Sequence, residues 1–461
     1  MHFNEIYPKL PGGVQDCACS LYGYLLNRRR YSGAYGQLER EVFDRENWPQ
    51  EQVTEFVNNR LRRVVEHAAN WVPYYRRLFA DLKIDYRSIR TGADLKQLPV
   101  LTKRTVQERS AEFVSERKHD LRCATLHTSG TTGAGLVFPM SLEGEREQWA
   151  TCWRYRRRFG VTHETWYGHF FGKSVVPFEQ TAPPFWRVNR PGRQVLFSAY
   201  HMSPRHLPHY ISELNRRRPA MIQGYPSLLF LLASYMVDNG IRLQYQPRAV
   251  MSSSESLLSH QRTVIERAFG VPCRQLYSLT EGVASISECA RGNLHVDEDY
   301  AHVEFLPLND ENAHRVIGST LSNCAFPLLR YDTGDIAEFD PAEERCRCGL
   351  PGRVVKRIDG RIEDYVVTPD GRRIGRLDHI FKDMVRIREC QIVQDRAEQL
   401  TFHIVRGPNY GSEDEAMLLA EARRRLGSSI RIEIAYTDAL ERTSRGKLRF
   451  VVSHMPESRV A

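Results

Sequence analysis

Residues 128–133 read Thr128-Ser129-Gly130-Thr131-Thr132-Gly133, directly after the mixed run Ala124-Thr125-Leu126-His127. Glycine lets the backbone turn and approach a ligand closely, so successive amide N–H groups can point at one anion. The four hydroxyls of the hexapeptide add donors to the same concave surface. Such a loop suits the phosphates of a nucleotide. It is not a Walker loop, because Gly133 is succeeded by Ala134-Gly135-Leu136 and the Gly-Lys-Ser/Thr ending is missing. Taken alone, a Ser/Thr/Gly cluster is also an ordinary surface turn, so the rest of the chain has to decide between the two.

Four more motifs lie downstream in a fixed order. Tyr277-Ser278-Leu279-Thr280-Glu281-Gly282 comes first, then Tyr331-Asp332-Thr333-Gly334-Asp335, Gly360-Arg361-Ile362-Glu363-Asp364 and finally Arg445-Gly446-Lys447. In type, order and spacing the series resembles the adenylate-forming superfamily of acyl-CoA synthetases, adenylation domains and luciferases, from about residue 90 to residue 455. Gly224-Tyr225-Pro226-Ser227, Phe197-Ser198-Ala199-Tyr200-His201 and Thr368-Pro369-Asp370-Gly371-Arg372 are similar to the phenylacetate–CoA ligase branch and its capsule-associated members. A Lys found just after the Thr-Gly loop in other branches is missing here, as it tends to be in this branch.

The resemblance implies an enzyme that joins a carboxylic acid to the α-phosphate of ATP, releasing pyrophosphate, and passes the acyl group to a thiol. Both reactants are anionic, so the reaction needs charge neutralisation and alignment. Glu281 is expected to hold Mg²⁺, with Thr280 donating to the α-phosphate and residues 128–133 around the phosphates. Without the other motifs, Thr280-Glu281 is an ordinary helix start. Tyr277, beside Ser278, is expected to stack on the adenine opposite Ser253-Ser254-Glu255, the alternative being a core tyrosine. Asp335 is expected to accept from both ribose hydroxyls, and Arg361 to approach the ribose or phosphates. Lys447 would bridge the attacking carboxylate and the α-phosphate. Glu363 falls where relatives carry a hinge acid, usually Asp, about which a small domain rotates between half-reactions.

Phe171 and Gly224-Tyr225-Pro226, with Phe170, Phe185 and Trp186, suggest an aromatic lining for an aryl or otherwise apolar acid; each is equally a core residue. A separate constellation joins Cys289 and His295 to the Cys346-x-Cys348 pair, a donor set suited to a closed tetrahedral Zn²⁺. Scattered cysteines also fill cores, and Cys17-x-Cys19 competes as a ligand pair.

A chain of 461 residues exceeds the size at which one core stops growing. The expected fold is α/β: a large N-terminal domain of layered sheets and helices over 1–360, led by a mainly helical 1–88, and a small mobile α+β C-terminal domain over 361–461. Apolar residues at helical spacing run through Glu51 to Ala80, and helices are also expected over Glu143–Phe159, Leu207–Arg217 and Glu413–Leu426. Strands are expected at Ala220–Ile222, Ala249–Met251, Arg274–Tyr277, twice within Glu389–Arg406, and last at Arg431–Tyr436. A hairpin is expected around Pro369-Asp370-Gly371.

The ten cysteines, with no secretory start and no apolar run of membrane length, point to a cytoplasmic protein without disulfides or a membrane span. The net charge of +9 comes with arginine runs at 28–30, 156–158, 216–218 and 423–425. No nucleic-acid motif accompanies them, so they read as solvated helix faces that also steer anions such as ATP or CoA. The acceptor stays open between CoA, a carrier-protein thiol and a small amine or hydroxyl. A catalytically silent nucleotide-binding protein on the same fold is the reading from another class. The oligomeric state is not legible.

Overall fold

Val53, Val57, Leu61, Val64, Val65 and Ala68 recur at helical spacing, and all are buried on the inner face of helix Gln50–Trp71. The helix stops where Val72 precedes Pro73, since a proline ring pushes the residue before it into extended geometry. A second helix, Pro73–Leu82, then begins with that proline in its first turn. Helices Gly12–Tyr31 and Tyr35–Asp44 precede them in the described amino-terminal segment. The computed structural model describes residues 6–128, 136–172, 175–255, 257, 259–307, 313–339, 346–359, 366–374, 377–381, 384, 386–407, 409–438, 440 and 450–455.

The strands in chain order are β1 Cys123–His127, β2 Val137–Ser141, β3 Tyr167–Phe171, β4 Trp186–Asn189, β5 Gln194–Ser198, β6 Met221–Gly224, β7 Ala249–Ser253, β8 Cys273–Ser278, β9 Ser285–Glu288 and β10 Leu294–Val296. They continue as β11 Ala301–Pro307, β12 Ala313–Thr320, β13 Tyr331–Glu338, β14 Val354–Val355, β15 Arg357–Asp359, β16 Val366–Val367, β17 Arg373–Ile374, β18 Ile387–Arg396, β19 Gln399–Arg406, β20 Arg431–Tyr436 and β21 Val451–Ser453. A nine-stranded sheet runs β14-β10-β9-β8-β7-β6-β3-β5-β4. Its middle, β8-β7-β6-β3-β5, is parallel. Parallel strands must be covered on both faces. Ile222 and Val250 join the core under helices Leu207–Arg217, Pro226–Asp238 and Ser259–Phe269. Met221, Ala249 and Met251 point the other way, against Trp153 and Tyr155 of helix Leu142–Arg157.

A four-stranded sheet β11-β12-β13-β15 lies beside the first. Toward the carboxyl end, β16 and β17 form the expected hairpin. A mixed sheet β20-β19-β18-β21 shares a core with Leu418, Ala422 and Leu426 of helix Ser412–Leu426. Arg431–Tyr436 is not the last strand. Val451–Ser453 adds a short edge parallel to β18.

The arginine runs are not uniformly solvated, which corrects the sequence expectation. Arg156 is 4% exposed, donates to Gln223 Oε1 at 2.7 Å and lies over the Trp153 ring. Arg425 is likewise buried and donates to Glu421 at 2.6 Å. The planar guanidinium tolerates burial when it is stacked and hydrogen-bonded.

Candidate active site

The parallel strands β3, β6, β7 and β8 all run one way, so Phe171, Gly224, Ser253 and Ser278 end them along one edge of the sheet. The crevice outside the carboxyl ends of such strands is where open α/β sheets take ligands. Gly224 is required at its position, since a Cβ there would stand 2.6 Å from the Phe170 backbone oxygen. Tyr225 comes next and meets Phe171 edge-on, ring centroids 4.6 Å apart. Pro226 opens the next helix, where its fixed φ costs nothing. Phe170 and Phe185 do not line this edge. Both are fully buried, Phe170 stacked on Phe197 and Phe185 on His201, and they belong to the core.

Tyr277 and Asp335 come together. The half-buried Tyr277 leaves β8 with its hydroxyl donating to Asp335 Oδ2 at 2.8 Å, joining the nine-stranded sheet to the four-stranded one. The Thr333-Gly334-Asp335 segment is a bulge inside β13 rather than a turn. Pairing with β12 slips between Arg315 and Ile317, and Gly334 takes a φ of +76°. A bulge kinks a strand and re-aims a side chain. Here the Asp335 amide donates to Thr333 Oγ1 at 3.1 Å, and that hydroxyl donates to the Val316 carbonyl at 2.9 Å. These bonds hold the carboxylate at the edge.

Thr280 and Glu281 do not start a helix. They sit in the turn between antiparallel β8 and β9, where Gly282 donates to the Leu279 carbonyl at 3.1 Å with a φ of +74°. Gln148 Nε2, from helix Leu142–Arg157, donates to the same carbonyl at 2.9 Å and braces the turn. Glu281 is buried and Thr280 exposed. Ser254, past the end of β7, has a φ of +70° and is exposed, and Glu255 after it is half-buried.

Thr128 closes a hairpin. Strands β1 and β2 pair antiparallel, and beyond them Thr128 N donates to Leu136 O while Leu136 N donates to Thr128 Oγ1, both at 2.9 Å. Its hydroxyl is thus used at the base of the loop. Ser129, Gly130, Thr131, Thr132, Gly133, Arg361, Glu363 and Lys447 lie outside the described residues.

The ligand atoms of Cys289, His295, Cys346 and Cys348 all lie within 4.8 Å of one another. A tetrahedral ion bonded to sulfur at about 2.3 Å separates its ligands by roughly 3.8 Å. Cys289 Sγ and Cys346 Sγ are 3.8 Å apart, and Cys348 Sγ lies 3.3 Å from His295 Nε2. The donor set therefore fits a bound metal ion. Cys289 stands directly after β9, and the hairpin into β10 is fixed by Gly292 at a φ of +90°. His295 Nδ1 must donate to the Pro351 carbonyl at 3.2 Å, which turns the Nε2 lone pair toward the sulfurs. Asn293 Nδ2 donates to Cys346 Sγ at 3.2 Å. Burial holds the His295 pKa below its usual value. Cys17 and Cys19 form no such group among the described residues; Cys19 Sγ lies 3.3 Å from Tyr7 Oη. Asn293, Gln148 and the Pro351 carbonyl escaped sequence reading. A side chain that supports a ligand from behind leaves no motif, and a backbone carbonyl leaves no residue signal at all.

Behind the cluster lies a buried ionic network. Arg154 donates to both oxygens of Asp299, at 2.8 and 2.9 Å, and to Asp297 at 3.2 Å. Arg45 pairs with Glu147 at 2.8 Å and with Asp299 at 3.5 Å. Ser285 and Ser287 hydroxyls complete the Asp297 carboxylate at 2.8 and 3.0 Å.

Comparison with known proteins gives the class first. A 2-hydroxyisobutyryl-CoA ligase, solved with 2-HIB-AMP and CoA in the thioesterification state, superposes with a TM-score of 0.58 at 18% identity, covering 89% of this chain and 91% of that one. An open conformation of the same ligase gives 0.55, covering 88% and 93%. The fold is that of the adenylate-forming CoA ligases.

Sequence adds a likeness to CapK. The chain is 24% identical to protein CapK of Staphylococcus aureus over 459 residues, covering 98% of this chain and 99% of that protein. Residues 366–454 match the family described as the CapK C-terminal domain. A phenylacetate–coenzyme A ligase of Thermus thermophilus is 26% identical over 348 residues, covering 70% of this chain and 73% of its own length.

Proposed function

We propose that this chain activates a small carboxylic acid with ATP, forming acyl-AMP and releasing pyrophosphate, then transfers the acyl group to a thiol, most simply that of CoA. The observation that carries this reading is the 2.8 Å contact of Tyr277 with Asp335 at the carboxyl edge of the parallel strands, next to the Glu281 turn. A flat ring and a carboxylate at that edge suit adenine and the ribose hydroxyls. The acid would enter beside Phe171, Gly224, Tyr225 and Pro226, with Ser253, Ser254, Glu255 and Ser278 along the adenine side. Residues 128–133 would cradle the phosphates, with the Thr128 hydroxyl shaping the loop.

Mg²⁺, held by Glu281 and phosphate oxygens, would neutralise charge on the triphosphate. Thr280 would donate to the α-phosphate, Arg361 would approach from the hinge side, and Lys447 would bridge carboxylate and phosphate as charge develops. We place the domain boundary near residue 360, with 361–461 turning about Glu363 between half-reactions. Zn²⁺ is the ion we assign to Cys289, His295, Cys346 and Cys348, where it would be structural: all four positions are filled by protein.

The test is carboxylate-dependent exchange of labelled pyrophosphate into ATP across a panel of acids, then mass spectrometry with and without CoA. Exchange with at least one acid is expected. Its absence across the panel would favour a silent nucleotide-binding protein. Exchange without a CoA product would move the acceptor to a carrier thiol, amine or hydroxyl.

A further inference from the structure

Helix Gly12–Tyr31 is built inside out. A helix on a protein surface normally turns its apolar stripe inward and its polar face to water. Here the polar side chains face the protein and finish the edge strand β4. Asp16 Oδ1 accepts from the Val188 amide at 2.8 Å, Ser20 Oγ donates to the Val188 carbonyl at 3.1 Å, and Asn27 Nδ2 donates to the Pro191 carbonyl at 2.7 Å. Gln15 accepts from Arg187 Nε at 2.6 Å. Gly23 sits so close to Asn189 that a Cβ would stand 1.9 Å from its side chain, which fixes the helix's rotation. The opposite face carries Val14, Leu21, Tyr22, Tyr24 and Leu25, between 46% and 63% exposed.

The exposed charged residues within 6–31 are all basic. Across residues 6–31 the only acid is Asp16, already engaged by the Val188 amide, against Lys9, Arg28, Arg29 and Arg30. Arg29 and Arg30 are committed to Glu145 at 2.6 and 2.9 Å, while Lys9 and Arg28 are exposed at the two ends. Arg190, next to Ser20, is exposed as well. A symmetric pairing of two such helices would set cations against cations, with no carboxylate on the face to neutralise them. An anionic lipid surface satisfies both features at once. Leucines and tyrosines enter the headgroup boundary while flanking Lys and Arg meet lipid phosphates.

We propose that helix Gly12–Tyr31 is a peripheral docking element for an anionic phospholipid bilayer, lying along it without crossing. Among the described residues no helix is long and apolar enough to span.

The test is sedimentation of the full chain with vesicles of phosphatidylcholine alone and of phosphatidylcholine with phosphatidylglycerol at three to one. Binding is expected to the mixed vesicles only, weakening as salt rises. The Leu21→Glu/Leu25→Glu variant should lose about tenfold or more in bound fraction with an unchanged thermal midpoint, since both side chains are exposed. Lys9→Glu/Arg28→Glu, which disturbs no packing, should abolish the preference for phosphatidylglycerol. No binding to mixed vesicles would overturn the proposal, as would unchanged binding by either variant. A wild-type dimer that the leucine variant splits, with no vesicle binding, would make the face a self-interface and also overturn it.

Discussion

The Cys/His cluster takes its ligands from one hairpin and one loop, every ligand is buried or half-buried, and carboxylates and arginines close in behind it. The carboxyl edge of the parallel strands collects its groups from several strand ends, a bulge and a hairpin turn, and leaves Ser254, Ser278 and Thr280 exposed. Their chemistry differs accordingly. A site whose four donors face one another has room for an ion and nothing else. An edge whose donors face outward can hold a substrate that arrives and leaves. The two regions are adjacent, since β8 and β9 serve both: their turn carries Glu281, and Cys289 stands just past the end of β9.

Separating the two by substitution is the way to break this contrast. The largest effect is expected on the proposed nucleotide chemistry. If Lys447 acts as proposed, Lys447→Ala should lower pyrophosphate exchange by about a thousandfold, while elemental analysis still finds about one zinc per chain. An unchanged exchange rate would remove Lys447 from the chemistry.

Cys348→Ser should do the reverse. It should lose the metal and lower the melting temperature, with activity falling only as far as folding does, because binding of a structural ion is part of the folding free energy. A variant that keeps its zinc, or a wild type purified without any, would refute the closed site.

A smaller effect is expected behind the cluster. Arg154→Met would leave Asp299 and Asp297 buried with one cation fewer, at a cost of about 3–5 kcal/mol in chemical denaturation. Burial alone would raise the Asp299 pKa, but Arg154 and Arg45 outweigh it and hold the carboxyl below its ordinary value. A depressed carboxylate stabilises the fold above its unfolded pKa of about 4, and that stability is lost as pH falls through the folded value. The stability gap between wild type and variant should therefore be widest above that unfolded pKa and narrow as pH falls through the wild-type folded value. A gap that does not change with pH would count against the network.

Much of this architecture was legible in the sequence where one period or one motif governed. Helix Leu207–Arg217 falls where the pattern placed it, because its apolar spacing agrees with its burial, and strand Arg431–Tyr436 packs Ile432 and Ile434 against the carboxyl-terminal core. The four metal-ligand candidates could be named from the sequence, but Cys17-x-Cys19 carries the same spacing, and only the fold tells the two pairs apart. Illegible parts have tertiary causes. Arg156 and Arg425 looked like solvent-facing charges, yet Trp153, Gln223 and Glu421 provide partners from elsewhere in the fold or one turn away. Phe170 and Phe171 are neighbours of one type, and only the alternation of β3 sends the first into the core and the second to the edge. The bulge at Thr333-Gly334-Asp335 left no signal of its own, because turns use the same residues. The outward apolar face of helix Gly12–Tyr31 escaped notice because its rotation is set by Gly23 against Asn189, a contact across more than 160 residues.

Nucleotide binding at the carboxyl edge is tested most directly by calorimetric titration of AMP into the full chain and its Asp335→Ala variant. The expected result is measurable binding by the wild type, weakened about tenfold or more in the variant by loss of the ribose hydrogen bonds. Equal affinity in the two proteins, or no binding by the wild type, would contradict it.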